Sequence, residues 1–441
     1  MSKRSGKVAV WGLAFASMSS ASFAAESTEA DDLKAQIDAL KLQLETLEQK
    51  VEAGSTSSGE KTDTAKSAES KPVVVRRKPN VSVEVGGFAK LNAVYSSKSV
   101  GNTQLADEVF FGSKVPRDDV EGEDSQLRMS AKESRFWLKG GNDVGRFHLE
   151  ADFTGYSSSS LETGNGSAGM RMRHAYAAFN KGDNEFLFGQ TWSTLQNSKA
   201  NMHKTLYGEL PGELLKRVVQ FRWTHNFSGS SKFHMGLENP AYTAQLVNGS
   251  KQVMDDDRLP DFIVRAEMNP SWGNVSLGGI VRQFRCDEPG LCDDSTTAAA
   301  LSFTGAWNIS GADQLHFQAS QGDGLGRYMG GNLYPEVVLL DDGTLSLVDS
   351  SHLALSYQHA WTPKVTTALL YNWSEAGGLE PVIGSDGKGA QTKLSTLSGN
   401  IMWRPAADVR FGLEWIHAES DWTDGGTGGL DRVIFSSRYD F

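Results

Sequence analysis

The chain has 441 residues, a formal net charge of −11, 46 glycines and 39% hydrophobic residues, and the acidic balance argues against a nucleic-acid partner. Its apolar residues are dispersed: no run approaches the about eighteen residues that a membrane-crossing helix needs, which leaves a closed β-barrel as the spanning structure. Two cysteines alone make neither a disulfide scaffold nor a cysteine-rich metal centre.

The N-terminus places Lys3, Arg4 and Lys7 before an apolar run from Val8 to Phe15, with Ser22 and Ala24 at positions minus three and minus one. That pattern predicts a secretory signal peptide over residues 1–24, its apolar core of about ten residues being too short to span a bilayer. Over 25–52, Ala30, Ile37, Leu44 and Val51 fall at heptad position a and Leu33, Leu40 and Leu47 at d, which predicts a coiled-coil helix that self-associates. Three heptads are marginal alone, so the coil is expected to assist an oligomer held elsewhere, and the a and d residues do not choose between dimer and trimer. Residues 53–80 lose all periodicity and end in KPVVVRRKP (Lys71–Pro79), a flexible basic linker.

From Val81 the period changes to two. Val81, Val83, Val85, Ala89, Leu91, Ala93 and Tyr95 share one face of the first strand, and comparable segments follow to the last, where Val433, Phe435, Tyr439 and Phe441 face one way and Arg432, Ser436, Arg438 and Asp440 the other. Sixteen such segments can be drawn over 81–441, an even number as a single-chain bacterial barrel requires. Short turn-like links, such as Asn180 to Asp183, Thr362 to Pro363 and Pro405 to Ala407, alternate with long ones, such as Ser97 to Ser125, Ser193 to Lys216 and Gly322 to Ser350. Short periplasmic turns and long outer loops produce that alternation. In the second strand Leu127, Met129 and Ala131 change parity with Phe136 and Leu138, which predicts a bulge near Lys132 to Ser134. Tyr95, Trp137, Trp361, Trp403, Trp415 and Phe441 sit near strand ends, where interfacial girdles lie. The expected fold is an all-β transmembrane barrel of about 16 antiparallel strands in the bacterial outer membrane, preceded by a short periplasmic coiled-coil helix.

If apolar residues face lipid, the opposite parity faces the lumen, and arginines collect there. Arg171 and Arg173 alternate with Met170 and Met172, Arg222 lies between Phe221 and Trp223, Arg265 between Val264 and Ala266, and Arg410 between Val409 and Phe411. Arg135 beside Phe136 and Arg282 beside Val281 are placed inward the same way. A guanidinium is permanently charged and can hold a carboxylate through two parallel hydrogen bonds, so such a wall would attract and orient small anionic solutes. The competing expectation is that these arginines pair with Glu150, Asp152, Glu267 and Glu414 to stiffen the wall. The loop from Ser193 to Lys216, carrying Lys199, His203, Lys204, Tyr207 and Glu209, is the candidate constriction. Cys286 and Cys292, six apart in a polar segment of an exported chain, predict a loop-stapling disulfide. No G-x-S-x-G, H-E-x-x-H or P-loop occurs, so no enzyme, metal or cofactor is expected.

GQTWST at Gly189–Thr194, RMRHAY at Arg171–Tyr176 and GDGLGRY at Gly322–Tyr328, in the order signal, coil, linker and barrel, resemble the trimeric outer-membrane channels of the DcaP type. The resemblance spans nearly the whole mature chain. It implies a homotrimer that imports dicarboxylic acids and related aromatic anions by passive diffusion through an arginine-lined narrowing, with Arg171 and Arg173 matching the arginines of the fourth-strand motif. The third loop departs from the family pattern, carrying more lysine and histidine in place of an acidic, proline-rich run. Against this channel reading stands a structural one, a barrel that anchors the coiled coil against the cell wall.

Overall fold

The computed structural model describes residues 81–99, 107–120, 124–155, 169–205, 209–227, 230–254, 256–384 and 386–441. The chain divides into two units, Met1–Arg77 and Lys78–Phe441. All described residues belong to the second, so the predicted signal peptide, coiled coil and linker lie outside them, as does Tyr207.

The period of two from Val81 onward becomes strands in chain order: β1 (Ser82–Ser96), β2 (Gln126–Ser130), β3 (Arg135–Gly141), β4 (Gly145–Gly155), β5 (Gly169–Lys181), β6 (Asn184–Trp192), β7 (Arg217–Asn226) and β8 (Ser231–Glu238). After them come β9 (Tyr242–Leu246), β10 (Lys251–Met254), β11 (Asp261–Met268), β12 (Gly273–Glu288), β13 (Cys292–Ser310), β14 (Asp313–Asp323), β15 (Val337–Leu339) and β16 (Leu345–Leu347). The chain ends with β17 (Asp349–Thr362), β18 (Val365–Ala376), β19 (Gln391–Ala406), β20 (Val409–Trp422) and β21 (Thr427–Asp440).

Seventeen of these form one antiparallel sheet. Both β2 and β3 pair with β1, as successive halves of a single interrupted wall strand, so the wall has sixteen strands. Closure comes from β21, which returns to β1 with Phe88 opposite Asp440 and Ser96 opposite Arg432. A closed wall leaves no backbone amide or carbonyl facing hydrocarbon, the condition for any β-structure inside a bilayer.

Side chains follow the predicted parity. Along β1, Val83, Val85, Leu91 and Tyr95 are outward and exposed while Phe88, Lys90, Asn92 and Val94 are buried inside. Along β21, Val433, Phe435 and Tyr439 face out, and Arg432, Ile434 and Ser436 face in. The parity change in the second strand is a full break at Ala131–Ser134, which turns the Glu133 carboxylate into the lumen, 2.7 Å from Lys90 Nζ. A second irregularity interrupts the β4–β5 register: Glu150 pairs with His174 and Ala151 with Met172, leaving Arg173 as the extra residue of a bulge.

Two features depart from the expected strand limits. The β12–β13 hairpin runs on to Glu288 and restarts at Cys292, past the segments 274–284 and 296–308 that alternation marks as strands, and a disulfide between Cys286 and Cys292 (Cα–Cα 5.7 Å) closes its tip. Beside it β9, β10, β15 and β16 form a separate four-stranded sheet from the fourth and sixth outer loops. Tyr242, Met254, Val337 and Leu339 of that sheet pack on Phe284, Cys286 and Cys292. Above the membrane no lipid demands alternation, so these strands carry no pattern of that kind.

The seam generates a test. Gly87 N–H donates to Phe441 O at 3.0 Å and Phe441 N–H to Gly87 O at 3.1 Å. A Cβ on Gly87 would lie 2.4 Å from Arg135 O and 2.5 Å from the Phe441 ring, whereas one on Gly399 would meet only Ala368 O, at 3.9 Å. Gly87→Val is therefore expected to lower the folded fraction, read as heat-modifiable mobility on a gel, while Gly399→Ala leaves it unchanged.

Candidate functional site

The loop from Ser193 to Lys216 leaves β6 and folds into the lumen, because the inner wall offers it partners along its whole described length. Thr194 N–H donates to Glu238 at 2.6 Å, and Asn197 Nδ2 to Asn274 at 2.6 Å. Lys199 Nζ bonds Glu267 at 3.1 Å, Gln318 Nε2 donates to Ala200 O at 2.9 Å, and Asn400 Nδ2 to His203 O at 2.7 Å. At Thr205 the loop reaches β20 and β1: its N–H donates to Glu414 at 2.6 Å, its hydroxyl also donates to Glu414, and its carbonyl accepts from Lys90 Nζ at 2.8 Å. Returning, Leu214 N–H donates to Gln318 at 2.7 Å and Asn372 Nδ2 to Pro211 O at 2.9 Å.

The first and sixth outer loops also turn inward. Phe110, Met202, Leu210, Tyr334 and Val338 pack with Val94, Leu370, Leu394, Ile416 and Ile434 of the inner wall. Side chains of this size contribute about 1.5–3 kcal/mol each on full burial. That apolar filling occupies the side of the lumen formed by β17 to β21 and β1.

Six of the seven predicted arginines lie across the lumen from this filling, on β3 to β12, and Arg410 lies on β20. Arg171 holds Asp152 through Nε at 3.0 Å and Nη2 at 2.7 Å. Arg173, 1% exposed, bonds Glu150 at 2.5 Å and Asp152 at 2.8 Å, and Arg135 lies 3.6 Å from Glu150. Arg265 donates to Thr194 O at 2.7 Å and Glu267 at 2.8 Å. Arg282 is sealed under the sixth loop, donating to Asp261 at 3.0 Å, Ala241 O at 3.0 Å and Gly324 O at 2.5 Å. Arg410 bonds Asp440 at 2.9 Å. Arg222 is the least engaged of the seven, with Nη1 3.4 Å from Trp192 O and Nε making no hydrogen bond. On the loop, Lys204 is paired with Glu213, and His203 Nε2 meets His316 Nε2 at 3.0 Å.

Between the loop and the wall from β21 through β1 to β6 lies a cavity of about 380 Å³. It brings together Arg135, Arg173 and Lys204 of the predicted set, and adds Lys90, Arg438, Glu133 and Glu213; Arg171, Arg222, Arg265, Arg282 and Arg410 do not line it. Five cationic side chains thus face two carboxylates. Its aromatic surfaces are Phe88 and Trp192. The Phe88 ring is flanked by the Arg438 guanidinium at 3.6 Å and that of Arg135 at 5.2 Å. Lys90, between Ala89 and Leu91, and Arg438, before Tyr439, carry the same alternation signal as the predicted arginines, so parity applied to every cation finds them.

Outer-loop residues line a second cavity of about 270 Å³ that includes Arg117, Lys251 and Lys388. There Arg117 holds Asp119 at 2.9 Å and Asp424 at 3.0 Å. Hydrogen bonds from Arg117 and Lys388 pull the Asp119 carboxyl down to about 2.

A sixteen-stranded wall with a loop drawn through its lumen is the architecture of a bacterial outer-membrane porin. The chain belongs to the DcaP outer membrane protein family, whose model matches residues 15–441. The outer-membrane channel DcaP of Acinetobacter baumannii has a similar fold at 20% identity and TM-score 0.67, over 82% of this chain and 98% of that one. OmpT of Vibrio cholerae matches at 11% identity and TM-score 0.51 over 83% and 99% of the two chains. OmpF of Salmonella typhi, solved in complex with daunomycin, matches at 10% and 0.51 over 81% and 97%. No curated protein sequence matches.

The loop's tether to β20 sets a measurable expectation. Glu414→Ala removes the acceptor for both Thr205 donors, a loss of about 1.5–3 kcal/mol per charged hydrogen bond. Single-channel recordings should then show a larger, noisier conductance than the parent; an unchanged conductance would mean that other contacts alone hold the loop.

Proposed function

We propose that the protein is a passive channel for small anionic solutes, dicarboxylates or aromatic acids, which cross at the narrowing between the third loop and the arginine-bearing wall. The observation that carries this reading is the cavity whose lining holds Lys90, Arg135, Arg173, Lys204 and Arg438 with Glu133 and Glu213. An anion there meets more positive than negative side chains at the cavity surface, in surroundings less screened than bulk water. Guanidinium groups suit carboxylates because two N–H donors match two oxygens. The half-buried Trp192 ring gives an aromatic solute something to lie against. Transport needs no covalent step: the field raises the local anion concentration, and the pore cross-section limits solute size.

The assembly proposed with this function is a homotrimer, assisted by the heptads of residues 30–51 and surrounded by outer-membrane lipid. Chemical cross-linking of the detergent-purified protein is expected to give a three-subunit species, and a solitary monomer band would remove this part.

Selectivity is the direct test. In planar bilayers under a salt gradient the parent should give a reversal potential of anion-selective sign, and Arg135→Gln with Arg438→Gln should move it toward zero. Cation preference in the parent, or an unmoved potential in the double variant, would set the reading aside. Arg173→Ala has a different expected readout. It removes the direct hydrogen-bonded partner of Glu150 and one of the two arginines on Asp152, and breaking a buried pair costs about 3–5 kcal/mol, so it should lower refolding yield before it reports on selectivity.

A further inference from the structure

We infer that Tyr328 of the sixth outer loop is a positioning residue for the constriction loop, clipping both arms of the third loop to the wall beside a buried pair of carboxylates. Two of the segments that resemble the family meet there: GQTWST supplies Ser193 and Thr194, and GDGLGRY supplies Arg327 and Tyr328. Glu238 ends β8 and Asp261 opens β11, directly opposite one another in the ladder, and both are buried. Asp261 has two guanidinium partners, Arg282 at 3.0 Å and Arg327 at 2.8 Å. Glu238 has no ion pair among the described residues; its donors are Ser193 Oγ at 3.0 Å, Thr194 N–H at 2.6 Å and Tyr328. The Tyr328 hydroxyl lies 3.1 Å from Glu238 and 2.7 Å from Asp261, so its one proton stands between two acids that would otherwise face each other.

The sixth loop also grips the returning arm of the third. Leu215 N–H donates to Tyr328 O at 3.1 Å, Gly330 N–H donates to Glu213 O at 2.7 Å, and Leu214 forms an isolated bridge with Met329. Leu195 of the outgoing arm and Leu214 of the returning arm share one buried apolar cluster with Leu325, Tyr328 and Met329. Glu213, Leu214 and Leu215 line the cavity, so a shift of this arm changes the cross-section there. The sixth loop is itself anchored: Arg327 N–H donates to Glu336 at 2.9 Å, Arg327 Nη2 to Asn239 O at 2.5 Å, and Gly324 O accepts from Arg282 at 2.5 Å. Its hold on the third loop therefore has a firm base, and the Tyr328 hydroxyl is the part of it that reaches the carboxylate on which the outgoing arm hangs. In a buried network of this kind the loss of one donor is felt by every group that shares its acceptor.

The inference rests on the reading that the cavity is the passage, and not on the charge of the solute. Tyr328→Phe removes the hydroxyl and keeps the ring, which Arg282 and Arg327 flank with guanidinium carbons 5.1 and 5.2 Å from its centroid. In planar bilayers the brief current excursions of this variant should become about tenfold more frequent than in the parent, the factor that one hydrogen bond to a charged group carries. Its heat-modifiable mobility on a gel should stay unchanged. A spin label on Lys216→Cys, the one free thiol because Cys286 and Cys292 are paired, should report a more mobile returning arm. Tyr334→Phe is the control: that hydroxyl, on the same loop, donates to Ser374 O and Thr392 O, each at 2.9 Å, and its loss should move neither the current nor the label. The inference is overturned if label mobility in Tyr328→Phe matches the parent, or if Tyr334→Phe raises it equally. A mobile label with an unaltered current upholds the clip and instead sets aside the cavity as the passage.

Discussion

In the hydrocarbon of a bilayer an amide or carbonyl has no water to turn to, and each one left unpaired costs several kcal/mol. The two rows of backbone groups at the ends of the sheet, on β1 and β21, must therefore find each other. They do so along nine residue pairs from Phe88–Asp440 to Ser96–Arg432, with the terminal Phe441 bonded to Gly87 beyond them. Once the wall closes, its outward side chains answer to lipid and its inward ones to whatever fills the lumen. The interior of this chain is the outcome of that second, separate selection.

Two different fillings divide the lumen. Against β17 to β21 the inward residues include Leu370, Leu394, Ile416 and Ile434, and the first, third and sixth loops lay apolar side chains on them. From β3 to β12 the inward residues include ion pairs, in which Glu150, Asp152, Glu267 and Asp261 hold Arg171, Arg173, Arg265 and Arg282. The third loop is tied to both: Lys199 to Glu267 on the charged side, Thr205 to Glu414 on the other. The cavity lies where the two fillings meet, with Lys90 and Arg438 on β1 and β21, Arg135 and Arg173 on β3 and β5, and Lys204 on the loop.

The strands were legible because lipid imposes a rule on every second side chain, and even the break at Ala131–Ser134 appeared as a change of parity between Met129 and Phe136. Where lipid stops, so does the rule. The extension of β12 and β13 to Glu288 and Cys292, and the sheet holding Val337–Leu339, carry no alternation against a bilayer and could not be read. The site was half legible in the same sense. Parity places Arg135 and Arg173 inward, but that Arg173 is the extra residue of a bulge, so that it and His174 are both buried inside, depends on the β4–β5 register. The approach of His203 to His316 spans 113 residues and requires the folded loop.

Pairing in the wall also bears on how an anion passage of the kind proposed could release what it attracts. A buried arginine without a partner is hard to sustain, and a carboxylate beside it keeps it charged and in place. The cations around the cavity accordingly have resident acids: Glu133 for Lys90, Glu150 for Arg135 and Arg173, Glu213 for Lys204, and Asp440 for Arg438. An incoming carboxylate must share each cation with a neighbour already bonded to it, so it gains only part of the attraction that a bare guanidinium would offer. Conduction requires a solute to be held strongly enough to enter and weakly enough to leave. For the passage proposed, a lattice of ion pairs whose positive ends outnumber the negative ones at the cavity surface would meet both conditions, whereas a wall of unpaired arginines would meet only the first.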